Sequence, residues 1–415
     1  MPVPGHLSVG EDIRSLERPD HADDEQKDTY DDENPSHVMP PEMLQRAATA
    51  VTRHPKIPFC ISAGQRRVMV RARTGFVVDL AAGSYHCCMR AGIAFCVLLT
   101  LMTVAAGAAP TDVPSLPTPA HDPAIIKEGD WYYLFTTGPG ITIQRSRDLV
   151  SWAVVGSVFR TPPDWTYKEV PRFDGTAWAP DISLVNGRYL LYYAVSSFGS
   201  NQSCIGLATN VTLDPKSPTY RWEDKGKVIG SLPWKDDWNA IDPNLAWDDD
   251  GQYYLVFGSF WDGIKMAAIN PDTGKLLKDP PDLISLARRQ GVTDDPIEAP
   301  FIFRHAGLYY LFVSFDFCCR GIRSDYKIAV GRSSNLTGPY VDRDGVPMSK
   351  GGGTIVLQSY DDVHGPGHNA ALHDGPHDWL VHHMYDGTRG GMAVLQVRPI
   401  TWTADGWPAA GAPLD

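Results

Sequence analysis

The stretch IEAPFIF at residues 297–303 sets an acidic residue, Glu298, directly before a short apolar run, and a glycine-containing turn and the aromatic run LYYLFVSF (308–315) follow. Four other stretches repeat this arrangement at intervals of 56 to 70 residues, with a histidine in place of the acid in the last: HDPAII (121–126), WAPDIS (178–183), NAIDPNLAW (239–247) and GHNAALH (367–373). Self-similarity at a near-constant period indicates one supersecondary unit repeated along the chain, and short strands in each unit are typical of propeller blades. The repeat predicts an all-β fold, a five-bladed β-propeller.

The repeated region, residues 119–415, is predicted to be β-structure throughout. Runs of alternating apolar and polar residues are separated by turns rich in Gly, Pro, Asp and Asn, and no stretch has a convincing helical period. Five units in about 300 residues leave room for four strands in each blade. A pair of β-sandwiches is the competing architecture, but it would not explain one marked residue in each repeat. Residues 109–118 are interpreted as a linker.

The first 88 residues differ in composition from the rest of the chain. The part from Gly10 to Pro41 is crowded with Asp, Glu, Pro and His and has few aliphatic residues. Such a segment cannot bury enough apolar surface to offset the entropy of ordering, so we predict a disordered extension. Our interpretation is that residues 1–88 are an over-extended start and that translation begins at Met89.

Residues 89–108 have the features of a secretory signal peptide. A basic start at Arg90 precedes an uncharged apolar run, and small residues provide a cleavage site after Ala108. The alternative is a signal anchor, because the run 91–109 has 19 residues and could just cross a bilayer. We expect a secreted protein in the first case, and a membrane-anchored one with the propeller outside the cytosol in the second.

Composition and charge exclude some classes of partner. The net charge of −12 argues against binding to nucleic acid. The 12 Trp and 17 Tyr residues suit the apolar faces of sugar rings, although most can equally fill β-sheet cores. Seven cysteines without a CxxC pair do not indicate a zinc site. Cys318 and Cys319 are adjacent, and their Cα atoms, about 3.8 Å apart, are closer than in usual disulfides. Their pairing, and that of Cys204, stays open.

Three of the repeated carboxylates can carry out glycoside hydrolysis. That reaction needs an acid that protonates the leaving oxygen and a carboxylate that activates water or attacks carbon. Asp122, Asp242 and Glu298 occupy equivalent places in their repeats, and we expect them to meet at a shared axis. Carboxylates at close range push each other's pKa values apart, which separates an acid from a base. The alternative for each aspartate alone is a turn-starting role before proline.

Six ordered motifs resemble those of the endo-α-1,5-L-arabinanases of glycoside hydrolase family 43, and the resemblance covers about residues 119–410. The motifs are HDPAII, TAWAPDIS, NAIDPN, FGSFWDGIK, IEAPFIF and GPGHN. The resemblance implies a five-bladed β-propeller that hydrolyses arabinan with inversion. It implies a general base at Asp122, a general acid at Glu298, and Asp242 raising the pKa of the acid and orienting it. We expect the acid and base to be roughly 6.5–9.5 Å apart, as inverting enzymes require.

The resemblance also implies binding residues around these carboxylates. His368 matches a histidine that contacts a metal ion, usually calcium, together with water in the axial channel. Since calcium prefers oxygen ligands, a histidine that simply lines the pore is the alternative. No organic cofactor is expected. Residues that match the substrate cleft are Phe198, Asn239, Ser259, Phe260 and Trp261.

Three further expectations concern residues and partners outside this set. Asp181 has no catalytic counterpart and is expected to hydrogen-bond backbone or a neighbouring blade. His382 and His383 are expected to be strand residues packed beneath the site. The expected partner is the polysaccharide arabinan, bound by a monomer. The alternatives are an exo-acting α-L-arabinofuranosidase or β-xylosidase of the same family and, in another class, a sugar-binding propeller without catalysis.

Overall fold

The structure is a computed structural model that describes residues 117–414. The predictions for the extension at 1–88 and the signal segment at 89–108 lie outside the described residues. Within the described part, no helix is long and apolar enough to cross a membrane.

Five antiparallel sheets follow one another along the chain. The first two are formed by β1 (Ala124–Glu128), β2 (Trp131–Thr136), β4 (Thr142–Ser146) and β5 (Ala153–Ser157), and by β3 (Gly138–Pro139), β6 (Thr176–Val185), β7 (Arg188–Val195), β8 (Ser203–Asn210) and β9 (Glu223–Ser231). The third is formed by β10 (Asn244–Trp247), β11 (Tyr253–Phe257), β12 (Ile264–Asn270), β13 (Lys275–Leu276) and β14 (Ile284–Ala287). The last two are formed by β15 (Ile297–His305), β16 (Leu308–Phe315), β17 (Lys327–Ser333) and β18 (Thr354–Leu357), and by β19 (Val363–Asp374), β20 (His377–Asp386), β21 (Met392–Trp402) and β22 (Pro408–Ala410).

The first long strand of each sheet touches its counterparts in the two neighbouring sheets. Contacts run from β1 to β6, β10, β15 and β19, and β19 contacts β1 again, which closes a ring. These five strands are therefore the innermost strands of a five-bladed β-propeller. The prediction of the fold from the repeat is confirmed.

Hydrophobic clusters fill each junction between consecutive blades. Successive side chains of strand β2 point to opposite faces of its sheet and so pack against different blades. Tyr133 and Phe135 pack against the second blade, and Tyr132 and Leu134 pack against the fifth. A strand buried on both faces is apolar at successive positions, which explains the aromatic-rich runs. The residues Thr118–Ala120 add to the start of β21 and tie the beginning of the described chain to the last blade.

The prediction of β-structure throughout needs one small correction. A short helix, α1, spans Asp164–Glu169, and 3₁₀ turns span Gly321–Arg323, Met348–Lys350 and Gly387–Arg389. Six residues are too few for a recognisable helical period, so the sequence pattern does not show α1. Its Asp164 in the first turn and Lys168 in the last turn suit the helix dipole.

Each innermost strand has a residue with a left-handed backbone, either within the strand or two residues before it. These residues have φ between 42° and 56°, and regular pairing with the second strand resumes two positions later. The equivalent positions of the five blades are Asp122, Ala179, Asp242, Ala299 and His368. Glu298 comes one residue before this position in its blade, and Asp181 comes two residues after it. The prediction from the spacing of the acids, that all of them occupy equivalent positions, is therefore wrong for Glu298 and Asp181.

Asp181 ties the second blade to the third. Its Oδ2 accepts a hydrogen bond from the Leu245 amide at 2.9 Å, and its Oδ1 accepts one from Asn244 Nδ2 at 3.1 Å. Asn244, at the equivalent place in the third blade, accepts in turn from the amide of Ile302 in the fourth. Burial raises the pKa of Asp181 to about 6, against the effect of its two hydrogen bonds. The structural role expected for Asp181 is confirmed.

Replacing Asp181 with alanine should lower the free energy of unfolding by about 1–3 kcal/mol, because the buried Leu245 amide loses its acceptor. Chemical denaturation of Asp181→Ala measures the change, and Asp250→Ala, at an exposed turn, is the matched control. Equal stability of the two variants would contradict the tie between the blades.

Candidate active site

The positive-φ ends of the innermost strands bring the predicted residues together. His368 Nδ1 lies 3.0 Å from Asp122 Oδ1, and Asp242 Oδ2 accepts the amide of Ala299, the neighbour of Glu298, at 3.0 Å. The pKa of Asp242 responds to the charges of His368, Glu298 and Asp122, so all four groups belong to one electrostatic cluster. The three carboxylates are buried, and the side chain of His368 is only 14% exposed.

Asp122 is surrounded by donors. Its Oδ2 accepts from the Thr137 hydroxyl at 2.6 Å and lies 2.9 Å from His121 Nδ1, while Oδ1 faces His368. Burial alone would raise the pKa of Asp122, but the charges and hydrogen bonds of His121 and His368 hold it well below its usual range. Asp122 is therefore ionised at neutral pH.

His383 is a neutral ring that accepts a hydrogen bond from the backbone of Asp122. Its Nδ1 accepts the backbone N–H of Asp122 at 3.1 Å, so this nitrogen carries no proton. Burial lowers the pKa of His383 well below its usual range. Its 3.6 Å approach to Asp122 Oδ1 is consequently no ion pair. His382 is buried beside it in β20, and burial lowers its pKa to about 3. Both histidines are packed strand residues, as expected.

Glu298 is held by two hydroxyl groups. Tyr326 donates to Oε1 at 2.6 Å and Ser259 donates to Oε2 at 2.7 Å. Burial raises the pKa of Glu298, and the two hydrogen bonds only partly offset that effect. Glu298 therefore keeps its proton to higher pH than an exposed glutamate. Ser259, expected in the substrate cleft, has its hydroxyl engaged by this carboxylate.

Asp242, like Glu298, is a buried carboxyl group with a raised pKa. Burial raises the pKa of Asp242 to about 8, Glu298 and Asp122 raise it as well, and His368 opposes them. Two buried carboxylates beside an ionised third cannot both release their protons easily. Asp242 and Glu298 thus hold at least one proton between them near neutral pH.

His368 carries the compensating positive charge. Burial would lower its pKa, but Asp122 and Asp242 raise it to about 9. A calcium ion binds six to eight oxygen atoms, whereas the oxygens of Asp122 already meet His121, Thr137 and His368. The described residues around His368 therefore do not form a calcium shell of their own. A nitrogen-rich group that could hold a metal consists of His121, Asp122 and His383.

The aromatic residues predicted to line the substrate cleft lie in loops between strands, and two of them are exposed. Phe198 is 72% exposed and packs against Trp178 with the ring centres 5.0 Å apart, and Trp261 is 39% exposed. Phe260, next to Trp261, packs against Phe317 at 5.5 Å. The remaining cleft residue, Asn239, is buried, and no group among residues 117–414 bonds its Oδ1.

Sequence reasoning missed several residues that contact the carboxylates. A signal existed for two of them, because His121 directly precedes Asp122 and Thr137 ends the aromatic run of the first repeat. Tyr326 lies in a loop outside the repeated motifs, and nothing in the pattern connects it with Glu298. Tyr385 lies in β20, and nothing in the pattern connects it with His121, whose Nε2 its hydroxyl meets at 3.0 Å.

Comparison with protein families matches residues 111–408 to glycosyl hydrolases family 43. An extracellular exo-α-(1→5)-L-arabinofuranosidase from Cellvibrio japonicus is 44% identical over 318 residues, which cover 75% of this chain and 89% of the relative. An extracellular endo-α-(1→5)-L-arabinanase from Bacillus subtilis is 42% identical over 293 residues, which cover 70% of this chain and 87% of the relative.

Solved structures of arabinanases are also similar to this chain. An α-L-arabinanase from Cellvibrio cellulosa in complex with arabinohexaose has a TM-score of 0.68 and 44% identity, covering 71% of this chain and 96% of that one. The native Bacillus subtilis arabinanase has a TM-score of 0.63 and 42% identity, covering 70% and 97%.

Proposed function

The chain belongs to glycosyl hydrolase family 43, and we propose that it is an endo-acting arabinanase that cleaves α-1,5-L-arabinofuranosidic bonds with inversion. One observation carries the proposal: Asp122, whose pKa is held well below its usual range, and Glu298, whose pKa is raised by burial, lie in the same buried cluster. An inverting glycosidase needs one carboxylate in each of these two states.

Asp122 acts as the general base. Its carboxylate takes a proton from a water molecule, and the oxygen of that water attacks the anomeric carbon opposite the leaving group. Glu298 is the general acid and gives its proton to the glycosidic oxygen as the bond to carbon breaks. One water is consumed, and two shorter sugar chains are released. The separation of the two carboxyl groups, expected at roughly 6.5–9.5 Å, stays a prediction.

Asp242 positions the backbone next to Glu298 and affects the ionisation of the acid. Its Oδ2 accepts a hydrogen bond from the Ala299 amide, which fixes the backbone beside Glu298, and negative charge on either of the two carboxyl groups opposes ionisation of the other. Activity then requires a pH above the lowered pKa of Asp122 and below the raised pKa of Glu298. The two shifts widen the working window in both directions.

The substrate follows from the exposed aromatics and the relatives. Phe198 and Trp261 offer flat apolar faces to sugar rings, and two relatives act on α-1,5-linked arabinose while a similar structure holds arabinohexaose. The exposure of both rings favours an open cleft, and thus endo action on arabinan. Since one relative is exo-acting, an exo-acting enzyme is the second candidate.

Three accompanying expectations complete the proposal. Secretion is supported by the extracellular relatives, with the segment 89–108 as its signal. Monomeric action on arabinan stays a prediction. A calcium ion beside His368 would have to take most of its ligands from water, and the catalytic scheme assigns no step to it.

Glu298→Gln and Asp122→Asn should each lower kcat by about 10²–10⁴-fold, because each removes one proton-transfer group. Hydrolysis of linear arabinan measures turnover, and isothermal titration with arabino-oligosaccharides measures binding, which should persist. Asp250→Asn, at an exposed turn, is the control. Undiminished turnover in either site variant would rule out its assigned role.

Linear arabinan should lose viscosity early and release a mixture of oligosaccharides, because an open cleft lets the chain bind in its middle. Chromatography of the products alongside viscometry separates the candidates. Release of a single short product with slowly falling viscosity would instead establish the exo-acting alternative.

A further inference from the structure

The loop at residues 316–326 connects β16 to β17 and carries a disulfide between the adjacent residues Cys318 and Cys319. Cys204, the other cysteine in the described part of the chain, is free and buried. Cys319 is exposed, and its Sγ lies 3.8 Å from His121 Nε2. The disulfide is therefore a neighbour of the histidine that contacts Asp122.

Two hydrogen bonds and one short polar contact connect this loop to Asp122. The Cys319 amide donates to the Tyr385 hydroxyl at 2.7 Å, so the proton of that hydroxyl is available for His121 Nε2 at 3.0 Å. His121 Nε2 then acts as an acceptor, which places a proton on Nδ1. That nitrogen lies 2.9 Å from Asp122 Oδ2, so its proton faces the carboxylate.

The backbone at Cys319 needs a constraint to keep this geometry. Cys319 has φ 66°, a left-handed conformation that is unfavourable for residues other than glycine. A bond between neighbouring side chains restricts the turn and directs the Cys319 amide at Tyr385. The base of the loop has separate support, because Phe317 and Asp325 exchange two hydrogen bonds. Loss of the disulfide should loosen the turn without unfolding the loop.

The far end of the same loop reaches the other carboxyl group. Tyr326, the last residue of the loop, donates to Glu298 Oε1 at 2.6 Å. One loop thus carries a contact to the acid directly and a contact to the base through two side chains.

We propose that the Cys318–Cys319 disulfide is a positioning element for the general base, acting through Tyr385 and His121 on Asp122. The inference rests on the proposed function. A dithiol reductant tests it reversibly: its thiolate attacks one sulfur, the S–S bond breaks, and after the exchange the protein holds two thiols and the reductant is a disulfide. No group that binds the sugar is altered by this step.

Reduction of the secreted protein should lower kcat on arabino-oligosaccharides by roughly tenfold, since small misplacement of a catalytic group is costly. KM should change by less than about twofold. Reoxidation should restore kcat, and circular dichroism should show that the melting transition persists in the reduced protein. The Cys318→Ala/Cys319→Ala variant should have the low kcat with or without reductant, which separates this disulfide from the other cysteines.

Tyr385→Phe tests the route of the effect. It removes the hydroxyl between Cys319 and His121, so it should lower kcat to a similar extent, and reduction of this variant should lower kcat little further. Unchanged kcat on reduction of the wild-type protein, or an undiminished effect of reduction in Tyr385→Phe, would overturn the inference. A lack of hydrolysis by the oxidised wild-type protein would instead overturn the proposed function.

Discussion

The backbone amide of the left-handed residue in or just before each innermost strand is the constraint on which the site depends. A positive-φ residue turns its N–H away from the ladder of its own sheet, and a buried N–H needs an acceptor. In four of the five blades of the described chain, the preceding blade supplies that acceptor from a side chain. The pairs of acceptor and amide are Thr137 with Ala179, Asp242 with Ala299, Ser314 with His368, and His383 with Asp122. These bonds join the blades where they meet and also orient the residues that face the centre.

The same ring concentrates charge in a buried place. Three carboxylates close together cannot all ionise, and the surroundings decide which one does. Imidazoles beside Asp122 stabilise its charge, whereas the hydrogen-bond partners of Glu298 are two hydroxyl groups, which together with the charge of His368 do not overcome the effect of its burial. The difference in neighbours, rather than in the carboxyl groups themselves, separates the proposed base from the proposed acid. Asp242 serves both purposes, since one side chain satisfies the Ala299 amide and holds a proton with Glu298.

The sequence was sufficient for the fold and for the clustering of the main carboxylates, because the repeat and the acids are local patterns. It did not reveal the offset of Glu298 and Asp181, since counting residues between acids cannot show where a strand leaves its register. Contacts of Thr137, Tyr326 and His383 depend on how neighbouring blades close, and no local pattern encodes that closure. The segments before residue 117 lie outside the structural account.

The configuration of the first sugar released tests the central claim most directly. Proton NMR during the first moments of arabinan hydrolysis distinguishes the two anomers before they interconvert. A water activated by Asp122 and a leaving group protonated by Glu298 predict a product of β configuration from the α-linked substrate. Initial release of the α anomer would contradict the single displacement, and with it the roles of both carboxyl groups.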